Sequence, residues 1–154
     1  MQIHNHFLKN FGIFKLSDRK AIRNNAEKLI AGLDIRCTSP LQHVGRLSGG
    51  NQQKVCVGRA LTQKPKMLFV SEPTRGIDIG AKKLILDLLY KLSSESGMTI
   101  VMTSSELAEL RSICDRIAII CEGALAGILK PDAGAADFGL MMSGANFHQK
   151  GEQK

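Results

Sequence analysis

Leu47 to Val55 read LSGGNQQKV, and the fold turns on what this stretch does. A serine followed by Gly49 and Gly50, then Asn-Gln-Gln-Lys-Val and a run of good helix formers, predicts a helix N-terminus with no side chains standing in front of it. Ser48 offers a hydroxyl, and the two glycines let backbone N–H groups come close to whatever sits there. Those unpaired N–H groups and the positive end of the helix dipole make a seat for a phosphate. An ordinary capped helix fits the same residues, and the stretch alone favours that reading, because caps are common and anion sites few.

A second stretch, Met67 to Asp78, reads MLFVSEPTRGID. Met67, Leu68, Phe69 and Val70 form a short continuous apolar run, which predicts a strand buried on both faces of a parallel sheet. The run stops at Ser71, Glu72, Pro73 and Thr74, so a carboxylate stands at the carboxyl end of a buried strand, where open α/β sheets place their ligands. Glu72 there is suited to orienting and deprotonating a water that attacks a terminal phosphate. A solvated loop acid is the equal alternative from these residues alone.

LSGGNQQKV resembles the signature motif of ABC transporter ATPases, in the form typical of carbohydrate importers whose ATP-binding subunit carries two fused nucleotide-binding domains. SEPTRGIDIGAK, Ser71 to Lys82, resembles the end of the Walker B strand with its following D-loop. Asn51 and the Gln52-Gln53 pair point to the second of the two domains. The resemblance runs more loosely from about Asp18 to Gly144.

The resemblance implies an α/β fold, part of a P-loop NTPase domain of the ABC ATPase type, with a mainly parallel sheet flanked by helices. Residues 1–46 would be a partial helical subdomain and lead-in, 47–130 the signature helix with the Walker B, D-loop and switch core, and 131–154 a small carboxyl-terminal segment and disordered tail. It also implies an ATP sandwich of two domains head to tail. Ser48, Gly49, Gly50 and Gln52 would then contact a γ-phosphate held by a partner's P-loop, Glu72 would be the general base, and Asp78 would reach the facing subunit. Asp78 reads equally well as the cap of the next helix. The implied cofactors are ATP and Mg²⁺. The implied partners are a second nucleotide-binding domain supplying a P-loop, transmembrane permease subunits and, indirectly, a sugar-binding protein. The chain would be cytoplasmic, peripheral on the inner face of the cell membrane through the permease.

Three departures from the family pattern qualify that picture. No Gly-Lys dipeptide occurs in the sequence, so the G-x-x-x-x-G-K-[ST] phosphate cradle is missing from these residues. Ser71 stands where the Walker B aspartate belongs; its hydroxyl holds a magnesium-bound water only weakly and adds no negative charge. Ser105 stands at the switch position, usually a histidine, and a hydroxyl has no imidazole proton to exchange. Ser104 and Ser105 read more readily as caps for a helix from Leu107 to Ile113. The isolated chain is therefore expected to be inactive, contributing its signature to a composite ATP site. A degenerate, non-hydrolytic interaction module is the alternative.

Composition agrees without deciding. The 154 residues suffice for one domain with a real core, and 44% hydrophobic with 23% charged residues is ordinary for a globular chain. A net charge of +7 is spread along the sequence, and one tyrosine with no tryptophan weakens a base-stacking role, so no nucleic acid partner is expected. Cys37, Cys56, Cys114 and Cys121 lack C-x-x-C spacing and read as buried reduced thiols. No apolar run approaches the roughly eighteen residues of a membrane span, and the first sixteen residues make no convincing signal peptide.

Taken in order, residues 1 to 16, with His4 and His6, read as frayed or irregular rather than metal-binding. Ile22, Ala26, Leu29, Ile30 and Leu33 share one face of a helix with Ser17 as its cap. The signature helix should run from Gly50 to Gln63 with Val55, Ala60 and Leu61 inward, before Pro65 stops it. A helix from Gly80 to Glu95 shows Leu84, Ile85, Leu88, Leu89 and Leu92 on its core face. Met98 to Thr103 and Asp115 to Cys121 read as strands, and Glu122-Gly123 turns the latter into a hairpin with Ala124 to Leu129. Phe138, Leu140, Met141 and Met142 make a last packed turn, and the tail from Asn146 reads as disordered.

Overall fold

The computed structural model of the chain describes residues 8–11 and 14–144. His4, His6 and the tail from Asn146 lie outside the described residues. The chain forms two compact units, the first reaching Met102 and the second beginning at Thr103.

The first unit opens on a short antiparallel pair, β1 (Leu8–Phe11) and β2 (Phe14–Ser17), with Leu8 opposite Ser17 and Phe11 opposite Phe14. This corrects the expectation of an irregular lead-in; four-residue strands are too short for an alternating pattern to register in sequence. Helix α1 (Arg19–Gly32) follows. Its cap is Asp18, whose Oδ1 accepts from Ala21 N at 3.1 Å, and not the adjacent Ser17, which closes β2. Its apolar stripe is only half covered: Leu33, at the helix end, is buried, while Ile22 stays 37% exposed.

A single 3-10 turn, Val44–Arg46, leads to helix α2 (Gly49–Leu61), which ends two residues earlier than its sequence suggests. Val57, Gly58 and Lys54 are its buried residues besides Gly50, while Val55, Ala60 and Leu61 are half-buried. Strand β3 (Met67–Ser71) is hydrogen-bonded to strand β4 (Thr99–Thr103), and helix α3 (Ile79–Ser94) connects them. Two neighbouring strands joined through a helix are the βαβ arrangement of parallel sheets.

Burial on β3 alternates. Leu68 is buried and Val70 half-buried, but Phe69 is 73% and Met67 49% exposed, so the strand is covered on one face only, against the expectation of two. On α3, Ile85 and Leu89 are fully buried, Leu88 and Leu92 are half-buried, and Leu84 is exposed, one residue off the covered stripe.

The second unit is built on the hairpin of β5 (Ile117–Cys121) and β6 (Ala124–Leu129), closed by the two-residue turn Glu122-Gly123. Both turn residues have positive φ, 50° and 76°, the geometry that matches the right-handed twist of the flanking strands. Helices α4 (Leu107–Ile113) and α5 (Ala135–Met142) complete it. Ile117, Ile119 and Phe138 form its core, with Leu107, Leu110, Leu129 and Met141 packed around them. Arg111 ties the loop before α5: Nε donates to Pro131 O at 2.7 Å and Nη2 to Ala133 O at 3.2 Å, while the guanidinium lies 5.4 Å from the centre of the Phe138 ring.

All four cysteines are free thiols, and none is buried: Cys56 is exposed on the outer side of α2, the other three half-exposed. Partial burial, reinforced by the neighbouring Asp115 carboxylate, pushes the Cys114 thiol above its ordinary value. Among the described residues no helix is long and apolar enough to cross a membrane.

Candidate functional site

Ser48 is the residue before α2, extended at φ −61° and ψ 155°, and exposed. Its carbonyl accepts the first intrahelical bond, from Gln52 N at 2.9 Å, but its hydroxyl caps no backbone N–H. Instead the hydroxyl oxygen accepts from Asn51 Nδ2 at 2.8 Å. The Asn51 carbonyl oxygen in turn accepts from the backbone N–H of Arg36 at 2.8 Å. The hydrogen-bonding role of Asn51 has no local signal in sequence, because its partner lies fifteen residues away in an aperiodic segment.

The two glycines do a job that the spacing alone does not reveal. A Cβ built on Gly49 would stand 2.8 Å from Ile77 Cγ2, and one on Gly50 2.8 Å from Ala81 Cβ. Glycine is required here because the first turn of α2 lies directly on the loop and first turn of α3. Gly49 remains exposed, whereas Gly50 is buried in that contact. Gln52 turns away from solvent, its Nε2 donating to Leu47 O at 2.9 Å.

The loop against which the glycines pack carries the second set of candidates. Glu72 follows β3 directly in a left-handed conformation, φ 46°, which a residue with a side chain adopts at a cost of roughly 1 kcal/mol or more. Arg75 N donates to its carbonyl at 3.2 Å and closes the turn. Pro73 and Thr74 are buried beneath it, Thr74 at 1% exposure, so the turn is anchored from below. Gly76 adopts φ 74°. Asp78 caps α3, its Oδ1 accepting from Ala81 N at 2.8 Å. The structure thus brings the Ser48–Gly50 stretch and the Gly76–Ala81 stretch into contact, with Glu72 four residues before Gly76 on the same connection.

Ser71 is exposed at the end of β3, and among the described residues no group of three His, Cys, Asp or Glu side chains is placed to hold a metal ion. Ser71 offers a neutral hydroxyl, a weak ligand for a hard divalent cation. Ser105 belongs to the second unit and is exposed. Beside it the Ser104 hydroxyl accepts from Glu106 N at 3.0 Å and donates to the buried Glu109 Oε2 at 2.9 Å, organising the start of α4 from outside; the cap position itself is Glu106.

An apolar cavity of about 340 Å³ lies between α1 and α2, walled by Ile22, Leu29, Ile30, Leu47 and Val55. None of Ser48, Glu72 or Asp78 lines it.

A glycine-flanked serine before one helix, packed on the loop that follows a carboxylate-ending strand, within an α/β fold of parallel sheet and flanking helices, defines a nucleotide-binding domain of the ABC type. The chain belongs to the ABC transporter family: residues 2–75 match the family described as ABC transporter. It is 47% identical over 129 residues to the arabinose import ATP-binding protein AraG of Rhizobium etli, covering 82% of this chain and 25% of that protein. It is 48% identical over 112 residues to the xylose import ATP-binding protein XylG of Moorella thermoacetica, covering 73% and 22%. Its fold matches the dimeric, post-hydrolysis ATP-binding cassette MJ0796 bound to ADP and Pi, with a TM-score of 0.65 and 25% identity over 77% of this chain and 51% of that one. The chain thus spans about a quarter of the length of these curated relatives.

Proposed function

We propose that the chain is the carboxyl-terminal portion of the second nucleotide-binding domain of a sugar-importing ABC ATPase, and that it lends its Ser48 loop to a composite ATP site. The observation that carries this reading is the exposed Ser48 hydroxyl at the positive end of α2, set before two glycines that let the first turn of α2 lie against the start of α3. The identity to arabinose and xylose import ATP-binding proteins supports a sugar as the transported substrate class.

In this reading a partner domain holds ATP in its P-loop, and closure brings Ser48 and Gly49 against the γ-phosphate. The donor hydroxyl and the helix dipole stabilise the phosphoryl oxygens as charge develops on them. Gly50, being buried on α3, serves the approach rather than the contact, and Gln52 holds the loop through Leu47. Glu72 is the general base for a water at a P-loop supplied to its own sheet, and Asp78 fixes the loop that faces the partner. Ser71 and Ser105 stand at the metal and switch positions without the charge or the titratable ring those positions usually carry, and no metal-assisted step is assigned to them. Closure would be transmitted to permease subunits at the inner face of the membrane.

Two measurements test the reading. Calorimetry on the purified 154-residue chain should detect no micromolar ATP binding, because no Gly-Lys phosphate cradle is present in it; micromolar binding overturns the argument. Placed in a full-length importer ATPase, Ser48→Arg should abolish stimulated turnover at the partner's site. Unchanged turnover removes Ser48 from the role. A non-hydrolytic module is favoured by the serine at residue 71, and an active full-length assembly argues against it.

A further inference from the structure

We propose that Asn51 is the positioning residue that turns the Ser48 hydroxyl outward as a hydrogen-bond donor. This rests on the reading of Ser48 just given and names the residue that prepares it.

The geometry fixes which way the Asn51 amide faces. The Arg36 backbone N–H can only donate, so the Asn51 atom 2.8 Å from it is the carbonyl oxygen. The amide's other end is then the NH₂ group, which donates to Ser48 Oγ at 2.8 Å. A serine hydroxyl has one proton and two lone pairs. With the oxygen already accepting from Asn51, and with no cap bond from the hydroxyl to the helix backbone, the proton is free to point toward solvent on the exposed side. Ionised phosphoryl oxygens only accept, so a hydroxyl held in this state matches them without reorganising.

The anchor for Asn51 is itself held. One turn further along α2, buried Lys54 donates from Nζ to Asp34 O at 2.7 Å, and its charge lies 3.6 Å from the Asp34 carboxylate. Asp34 takes a left-handed conformation, φ 49°, as the chain leaves α1. The Asp34–Arg36 turn is therefore strapped to α2 at two points, and Asn51 carries its position to the serine. An ordinary capped helix has no use for this arrangement, since its serine would accept from the backbone of its own first turn.

The isosteric change Asn51→Asp separates aim from scaffolding. The carboxylate so introduced still accepts from the Arg36 N–H, but it also accepts from Ser48, drawing the hydroxyl proton inward and placing a negative charge beside the anion site. The assay is binding of the full chain to an ATP-loaded, hydrolysis-deficient amino-terminal nucleotide-binding domain of the R. etli AraG protein, read by sedimentation, with hydrogen exchange at the Arg36 amide as the scaffold readout.

Asn51→Asp should weaken ATP-dependent association about tenfold or more and leave Arg36 protection intact, whereas Asn51→Ala should lose that protection. Association weakened by Ser48→Ala but untouched by Asn51→Asp overturns the proposal alone. Loss of Arg36 protection in Asn51→Asp also overturns it, showing a structural role. No ATP-dependent association of the unsubstituted chain, or none that Ser48→Ala alters, overturns the parent reading and this proposal with it.

Discussion

Gly50→Ala offers the most direct test of why the signature stretch is glycine-rich. The added methyl would sit 2.8 Å from Ala81 Cβ and 3.8 Å from Ala81 Cα. Carbon atoms rest at about 3.5–4.0 Å, so the overlap with Ala81 Cβ is roughly 1 Å. Neither partner can rotate away, because both methyls are fixed to helix backbone, and relief requires α2 to move off α3. Overpacking of this kind costs about 1–3 kcal/mol, and the higher helix propensity of alanine returns up to ~1 kcal/mol. The net expectation is a loss of about 1–2 kcal/mol, a fall in melting temperature of roughly 3–10 °C. Urea denaturation followed by circular dichroism measures it, with an unchanged m-value indicating a pure stability effect. Ala81→Gly added to Gly50→Ala removes the clash, so the two changes together should couple favourably by about 1 kcal/mol or more. Gly50→Ala as stable as the parent, or no coupling with Ala81→Gly, refutes the close-approach argument.

Phe138→Ala should destabilise the second unit by about 3–5 kcal/mol, because the ring is 1% exposed and forms the core with Ile117 and Ile119; chemical denaturation monitored at hairpin amides checks it. With a thiol reagent at pH 8, Cys56 should react first, being exposed, and Cys114 last, because burial and Asp115 hold its thiol protonated. The sign for stability follows: a thiol whose folded pKa is raised contributes nothing below its unfolded pKa, and folding weakens as pH rises above that value toward the folded one, so Cys114→Ser should flatten the alkaline limb of a stability–pH profile.

The elements with strong periodicity or strong punctuation were legible. The glycine pair announced the start of α2, Asp78 and the Leu-rich period announced α3, and Glu-Gly between two apolar runs announced the β5–β6 hairpin. Glu72 was placed at the strand's end because the apolar run stops there. Other features were not legible, for identifiable reasons. Ser17 and Asp18 are both good caps, and only the end of β2 decides between them. A continuous apolar run looks the same whether one face or two are covered, so the exposure of Phe69 left no trace. Asn51, Lys54 and the Asp34–Arg36 turn act through side-chain to backbone bonds between distant residues, which no local pattern encodes.

The left-handed backbone at Glu72 would set heat resistance against the general-base role proposed for that residue. Glycine there would relax the chain and lengthen the life of the fold on warming, yet it would delete the carboxylate. A library selected only for survival at high temperature should therefore drift toward glycine at residue 72, and the frequency of that drift would report how much strain the connection stores.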